Sequence, residues 1–144
     1  MKHSFVKALK KISFSFVWVA LALVIVSILM QGMPLFGAPK PSSVETVTIT
    51  YPTLTSEARE ISDPELIQHA CQLFGFLRYR PFAKADETDS PILTMDFTLT
   101  NGNTATVSAS RESVWWNGKT HVLKEPEIFI NLAEGIFFFD KVTP

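Results

Sequence analysis

The sequence predicts an α+β domain that follows a single apolar helix. The first observation is an uncharged stretch, residues 12–30, which as a helix would be about 28 Å long and match the hydrocarbon core of a bilayer. Beyond it, segments that alternate apolar and polar residues indicate strands with one buried side, and two segments with helical apolar spacing indicate amphipathic helices. The predicted order after the apolar helix is β-α-β-β-β-β-α, with both helices on one face of a small antiparallel sheet.

Basic residues at the N-terminus indicate how the apolar stretch is oriented in a membrane. Four lysines precede it, so the positive-inside rule places the N-terminus in the cytoplasm and the rest of the chain outside. They are Lys2, Lys7, Lys10 and Lys11. We expect four segments: a basic cytoplasmic tail at 1–11, a transmembrane anchor at 12–31, a linker at 32–43 and an extracytoplasmic domain at 44–144.

Cleavage of the apolar stretch as a signal peptide is the alternative to an anchor. The stretch is longer than the roughly 7–15 apolar residues of a signal peptide. Ala38 is a poor cleavage position because Phe36 lies two positions before it and Pro39 follows it directly. No cysteine lies near the end of the stretch, which excludes lipid attachment by the bacterial lipoprotein route. We favour an uncleaved, single-pass membrane protein, with secretion after cleavage between Ala22 and Ala38 as the alternative.

The two parts of the chain carry opposite charges. Five of the thirteen Lys and Arg residues precede Val44, whereas all fourteen Asp and Glu residues follow it. The predicted domain therefore has eight basic and fourteen acidic residues and a net charge of −6, although the whole chain has −1. Because nucleic-acid phosphates repel an acidic domain, we expect no nucleic-acid partner. The acidic loop 86–89 lacks the glycine and distal glutamate of a calcium loop. The single cysteine, Cys71, excludes an internal disulfide.

Local patterns predict the first strand and the first helix of the domain. In residues 44–51, apolar and polar residues alternate and predict a strand with one buried face. That face carries Val47, Ile49 and Tyr51. Ser62 stands three residues before Glu65, the spacing of a capping box, and predicts that a helix begins there. The apolar residues that follow at helical spacing are Leu66, Ile67, Ala70, Leu73, Phe74 and Leu77.

Two Asn-Gly pairs predict hairpins in the second half of the domain. At Asn101-Gly102, a three-residue loop keeps the apolar residues of both strands on one face and pairs Phe97 with Ala105. At Asn117-Gly118, the register of the two flanking strands stays open. The other face of the sheet is predicted to be polar and wet. It carries Thr46, Thr48, Thr50, Thr94, Asp96, Thr98, Thr104, Thr106 and Ser108.

A final amphipathic helix is predicted to begin at Pro126-Glu127. Pro in the first turn favours a helix start there. The apolar face that we expect this helix to bury consists of Ile128, Leu132, Ala133 and Ile136.

Residue types suited to catalysis or metal binding do not form a recognisable site. His69 and Cys71 are two positions apart and point about 200° apart on a helix, so they cannot bind one metal ion together. His121 would need a carboxylate such as Asp96 or Glu112 brought near it by the fold. We therefore expect no enzyme activity, no cofactor and no metal site. A minor hydrolase that depends on His121 is the remaining alternative.

Two groups of residues suit contact with a partner better than chemistry. Trp115 and Trp116 are adjacent in a predicted strand, so their side chains point to opposite faces and one leaves the main core. Arg78, Tyr79 and Arg80 follow the first helix and offer guanidinium and aromatic groups to an anionic segment or a wall component. Pairing of the two arginines with nearby acidic side chains is the structural alternative.

Three motifs support a resemblance: Ile-Ser-Asp-Pro-Glu-Leu-Ile at 61–67, the alternating strands around Asn101-Gly102, and Val-Trp-Trp-Asn-Gly-Lys at 114–119. Together they resemble small uncharacterised extracytoplasmic domains of Gram-positive bacteria, carried on single-pass or lipoprotein-anchored chains. The resemblance covers about residues 44–140. The chain departs from that pattern in having His121 where an aromatic residue is common, and in lacking a lipobox. The resemblance implies no activity.

These observations lead us to expect a membrane-tethered, extracytoplasmic binding module of unknown ligand. Its expected partners are the lipid bilayer, through residues 12–31, and an envelope protein or wall component. The expected contact residues are Trp115, Trp116, Arg78, Tyr79 and Arg80. An inhibitor or immunity-type protein that acts on an exported hydrolase is the alternative function.

Overall fold

The apolar helix at the N-terminus forms a unit of its own in the computed structural model, which describes residues 2–139. Helix α1 spans Lys2–Gln31, and none of these residues is buried. By length and composition α1 can cross a membrane, a test that a signal sequence near the N-terminus also passes. Met1 and residues 140–144, which are the ends of the predicted tail and domain, lie outside the described residues.

A second unit begins at Met33 and contains, within residues 33–139, eight strands and two helices. The strands are β1 (Met33–Pro34), β2 (Val44–Thr50), β3 (Arg59–Ile61), β4 (Arg78–Arg80), β5 (Leu93–Leu99), β6 (Thr104–Ala109), β7 (Ser113–Trp116) and β8 (Lys119–Leu123). The helices are α2 (Pro64–Gly75) and α3 (Ile128–Phe137), and a 3-10 turn covers Pro41–Ser43. The α+β class is confirmed, but the order along the chain is β-β-β-α-β-β-β-β-β-α.

The described strands form one antiparallel sheet in the spatial order β1-β4-β8-β7-β6-β5-β2-β3. Three strands absent from the prediction extend it: β1 and β4 at one edge and β3 at the other. Each has two or three residues, which is too short for an alternating pattern to be visible in the sequence.

One core lies between the sheet and the two helices. Phe74 of α2 packs edge-on against Phe97 of β5 and Trp116 of β7, with ring centroids 6.1 and 4.8 Å apart. Just after α3, Phe138 packs edge-on against Tyr51 at 5.8 Å. Because Tyr51, Phe97 and Trp116 belong to the same face of the sheet, both helices cover that face and leave the opposite face without a helix.

Helix α2 begins one residue later than the capping box predicts. Asp63 is the N-cap, and its Oδ1 accepts a hydrogen bond from the backbone N–H of Glu65 at 2.8 Å. Pro64 follows in the first turn, where its missing N–H costs nothing. The predicted role of Ser62 is therefore wrong, because the carboxylate of Asp63 already satisfies the free N–H of this turn.

Helix α3 buries a different face from the predicted one. Its buried residues are Phe129, Ile130, Ala133 and Phe137. Of the face expected to be buried, Ala133 is buried, whereas Ile128, Leu132 and Ile136 are exposed. Apolar residues surround this helix on nearly all sides, so their spacing could not determine which side faces the sheet.

Both Asn-Gly hairpins form. Phe97 pairs with Ala105, as predicted, and Gly102 has the positive φ of +87° that the three-residue loop needs. The second hairpin has a two-residue loop, in which Asn117 and Gly118 have φ of 50° and 74°. These left-handed conformations fit a type I′ turn and resolve the register that the sequence left open.

The segment 33–43, expected to be part of a linker, lies within the second unit. Met33 and Pro34 form β1 at the sheet edge, and Leu35 is buried in the core. The indole N–H of Trp116 donates a hydrogen bond to the carbonyl oxygen of Phe36 at 2.9 Å. Gly32 is therefore the one residue between the end of α1 and the first strand of the folded domain.

Candidate functional site

The sheet face without helices, which we call the open face, is a surface of hydroxyl groups. The strand pairing places Val122 and the buried Ser113 on this face together with Thr46, Thr48, Thr50, Thr94, Asp96, Thr98, Thr104, Thr106, Ser108, Trp115 and Thr120. Thr106 Oγ1 donates to Asp96 Oδ1 at 2.5 Å, and the hydroxyls of Thr94 and Ser108 are 3.0 Å apart. Apart from Ser113, none of the side chains named here is fully buried. The face is therefore polar and solvated, as the alternation predicts.

The two adjacent tryptophans separate onto opposite faces. Trp116 is 8% exposed and belongs to the core, where it contacts Phe74. Trp115 is half-buried on the open face, with Ser108 and Thr120 as its neighbours on the adjacent strands. One indole thus leaves the core, as predicted, and it is that of Trp115.

The three residues of β4 also divide between the faces. Arg80 pairs with Val122, which is two residues from Thr120, so Arg78 and Arg80 point to the open-face side and are exposed. Tyr79 points to the other side, where its ring lies 4.2 Å from that of His121. Of the five predicted contact residues, the fold therefore brings Trp115, Arg78 and Arg80 to one side, and places Trp116 and Tyr79 on the other.

The acidic loop between β4 and β5 is held by its own hydrogen bonds. Thr88 donates to Asp86 Oδ1 through its backbone N–H and its hydroxyl, and these bonds hold the pKa of Asp86 below its ordinary value. Ser110 donates to Asp89 Oδ2. Ser110 follows the core residue Ala109, so this contact joins the loop to the open-face side of the sheet. Protein donors therefore account for the partners of both carboxylates.

The residues with catalytic or metal-binding potential stay apart. Within residues 2–139, no three His, Cys, Asp or Glu side chains form a group that could hold a metal ion. Cys71 is buried, and burial raises the pKa of its thiol. Burial lowers the pKa of His121, and the charge of Lys119 lowers it further. Asp96, one carboxylate that could have met His121, lies on the open face, whereas His121 faces the helix side.

A contact that no sequence pattern predicts joins the end of β2 to α3. The hydroxyl of Tyr51 donates to Glu134 Oε1 at 2.5 Å, and Arg111 Nη2 lies 3.9 Å from the same oxygen. Burial raises the pKa of Tyr51, and the hydrogen bond to Glu134 raises it further. Tyr51 and Glu134 are 83 residues apart in sequence, so no local pattern could have paired them.

A groove between α2 and α3 is the second surface feature. It has an open volume of about 240 Å³ and is lined by His69, Gln72, Leu73, Phe76, Leu132 and Ile136. The sequence pattern does not predict this groove, because the helical spacing of α3 indicates that Leu132 and Ile136 are buried.

Comparison with protein-family models, with curated proteins and with solved structures found no match to this chain.

Proposed function

We propose that the protein is a membrane-tethered, extracytoplasmic binding module, and that its open face is the binding surface. The observation that supports this proposal is the position of Trp115. It is a large amphipathic side chain among hydroxyl groups, on a sheet face that neither helix covers. Arg80 is on the same side of the sheet, on β4, which β8 separates from the strand of Trp115. Tryptophan and arginine are the residue types that most often dominate binding energy at protein interfaces.

The composition of α1 supports the proposal that the domain is tethered to a membrane. All four lysines of the 30-residue helix α1 lie in its first ten residues, and the acidic residues of the chain all follow Val44. An uncleaved helix with this charge distribution spans the membrane once, with its N-terminus in the cytoplasm. Tethering concentrates the domain near partners at the same membrane, namely an envelope protein or a wall component, and so raises its effective affinity for them.

The side chains of the open face suit binding because their polar groups can exchange partners. Threonine and serine hydroxyls both donate and accept hydrogen bonds, and they rotate to fit the group that they meet. The Thr106–Asp96 and Thr94–Ser108 contacts satisfy these groups in the free protein. A bound partner can replace those contacts at little net change in hydrogen bonding, while its contact with the indole of Trp115 excludes water.

The test is affinity capture of the full chain from detergent-solubilised membranes, with the mass of the recovered chain measured in parallel. We expect Trp115→Ala and Thr106→Lys to lose a partner that the wild type retains. Phe76→Ala, which removes an exposed aromatic from the helix side, is the matched control and should retain it.

Equal recovery with Trp115→Ala, Thr106→Lys and the wild type would show that the open face is not the binding surface. A recovered mass that lacks residues 2–31 would show that the domain is secreted and not tethered. If the captured partner is a hydrolase whose activity falls on binding, the protein is an inhibitor or immunity-type protein.

A further inference from the structure

The two Asn-Gly turns of the domain have the same sequence but different hydrogen bonding. Asn101-Gly102 lies between β5 and β6, Asn117-Gly118 lies between β7 and β8, and all four residues are exposed. Asparagine is a chemically labile residue, and a glycine after it favours deamidation because no side chain hinders the approach of the glycine nitrogen to the asparagine amide. Since both turns are in water, a large difference in their reactivity has to come from the fold.

Hydrogen bonds hold both reacting groups of the first turn. The side-chain Oδ1 of Asn101 accepts a hydrogen bond from the backbone N–H of Asn103 at 2.9 Å. The N–H of Gly102, whose nitrogen would attack the amide, donates to the carbonyl oxygen of Leu99, also at 2.9 Å. Deamidation at Asn101 requires that this N–H lose its proton and that the side chain turn toward it, so both hydrogen bonds oppose the reaction.

The corresponding groups of the second turn are not held in this way. Within residues 2–139, neither the side chain of Asn117 nor the N–H of Gly118 makes a hydrogen bond. The reaction requires the peptide unit between them to rotate out of the left-handed turn, in which φ is 50° at Asn117 and 74° at Gly118. There is space for this rotation, because a Cβ atom at Gly118 would have no neighbouring atom within 4 Å.

We propose that Asn117 is a site of spontaneous deamidation in the folded protein, and that the fold protects Asn101. The backbone nitrogen of Gly118 loses its proton to the solvent and bonds to Cγ of Asn117, and the side-chain amide nitrogen leaves as ammonia. Water then opens the cyclic imide. Hydrolysis at Cγ leaves aspartate, whereas hydrolysis at the main-chain carbonyl leaves isoaspartate, in which the backbone runs through Cβ and Cγ.

The two products have different consequences for the hairpin that carries Trp115. Asp-Gly suits a type I′ turn as well as Asn-Gly does, so aspartate keeps the pairing of Trp116 with Lys119. Isoaspartate lengthens the backbone of the two-residue loop by one carbon atom, and loop length determines the register of a hairpin. It therefore disrupts the turn that joins β7 to β8. This chemistry does not depend on the tether or on the binding surface of the proposed function.

The test incubates the folded full chain in detergent and mildly alkaline buffer. Peptide mapping by mass spectrometry follows, at each asparagine, the mass increase that replacement of the amide NH₂ by OH causes. Because two hydrogen bonds oppose the reaction at Asn101, we expect deamidation at Asn117 to be about tenfold faster. The same chain in urea is the control, and there both Asn-Gly pairs should react at similar rates. Equal rates in the folded chain, a faster reaction at Asn101, or protection of both residues would overturn the proposal.

Two variants at the same position test the effect of the products on the hairpin. Asn117→Asp reproduces the aspartate product and should keep the urea midpoint of the fresh wild-type chain. Asn117→Gly removes the reactive amide, fits the same turn, and should keep its midpoint throughout the incubation. The isoaspartate fraction of the aged wild type, separated by chromatography, should unfold at a lower urea concentration. An isoaspartate fraction with the midpoint of the fresh chain would overturn the effect on the hairpin.

Discussion

The Tyr51 hydroxyl donates a hydrogen bond to Glu134 Oε1 at 2.5 Å and thereby connects the end of β2 to α3. The ring of Tyr51 is 4% exposed and packs against Phe138, so the polar and the apolar contact act on the same side chain. Helix α3 is apolar on most sides, and the side that it buries carries Phe129, Ile130, Ala133 and Phe137. The hydrogen bond from Tyr51 to Glu134 adds a polar contact of defined geometry to the same orientation of α3, in which Leu132 is exposed.

This contact predicts a loss of stability at high pH. Burial first, and then Glu134, raise the pKa of Tyr51 above the ordinary value of 10.0. Above about pH 10 the unfolded chain loses this proton while the folded chain keeps it. The free energy of unfolding should therefore fall as pH rises from that point to the folded pKa, by up to about 1.4 kcal/mol per pH unit. Denaturant unfolding of the full chain in detergent measures this fall, over a range from about pH 8 to about pH 11 that includes the ordinary tyrosine pKa.

Tyr51→Phe is the control for that titration. It should cost about 1 kcal/mol at neutral pH, because the hydrogen bond is lost. It should also lack the additional fall above about pH 10, since phenylalanine has no proton to lose. An identical fall in stability for Tyr51→Phe and the wild type would show that Tyr51 is not its cause.

The two adjacent tryptophans should differ sharply in their effect on stability. Trp116→Ala removes a buried ring from contact with Phe74 and the hydrogen bond to Phe36, and should cost about 3–5 kcal/mol. Trp115→Ala removes a half-buried side chain from the open face and should cost about 1 kcal/mol. Thermal unfolding followed by near-ultraviolet circular dichroism compares them, and equal losses would contradict the assignment of the two faces.

The sequence was sufficient to predict the parts of the fold that local patterns determine. The alternation around Asn101-Gly102 implies the pairing of Phe97 with Ala105, because any other register would expose one apolar set. Alternation likewise separates Trp115 from Trp116. Both predictions are confirmed. A strand has only two faces, so a short alternating pattern is enough to assign each side chain to one of them.

Other features depend on contacts between distant residues or on very short elements. The pairing of Tyr51 with Glu134, and that of Trp116 with Phe36, join residues 83 and 80 positions apart. Strands of two or three residues form because neighbouring strands offer free hydrogen-bonding groups at the sheet edge, a condition that exists only after folding. The exposure of Leu132 and Ile136 was not predicted for a similar reason, because apolar residues on nearly all sides of α3 do not indicate which side contacts the sheet.

Replacing each of two glycines by alanine should change the stability of the domain in opposite directions. A Cβ atom at Gly118 or at Gly135 would have no neighbouring atom within 4 Å, so a steric clash is not expected at either position. Gly118 has a φ of +74° in its turn, where alanine is strained by about 1–2 kcal/mol. Gly135 lies within α3, where alanine should stabilise by about 1 kcal/mol.

Urea unfolding of the two variants tests this pair. A lower midpoint for Gly118→Ala together with a higher one for Gly135→Ala is the expected result. A stabilised Gly118→Ala would mean that the hairpin does not use the left-handed turn that the structure shows.

Acid should destabilise the domain through His121. Burial lowers the pKa of His121 below its ordinary value of 6.5, and the nearby Lys119 lowers it further. Below about pH 6.5 the unfolded chain therefore binds a proton that the folded chain still excludes, and the free energy of unfolding falls until the folded pKa is reached. His121→Phe keeps a ring beside Tyr79, and it should remove this part of the acid sensitivity, as measured by urea unfolding from about pH 7.5 to 5. If His121→Phe and the wild type lose stability in parallel over this range, the acid sensitivity arises from the carboxylates and not from His121.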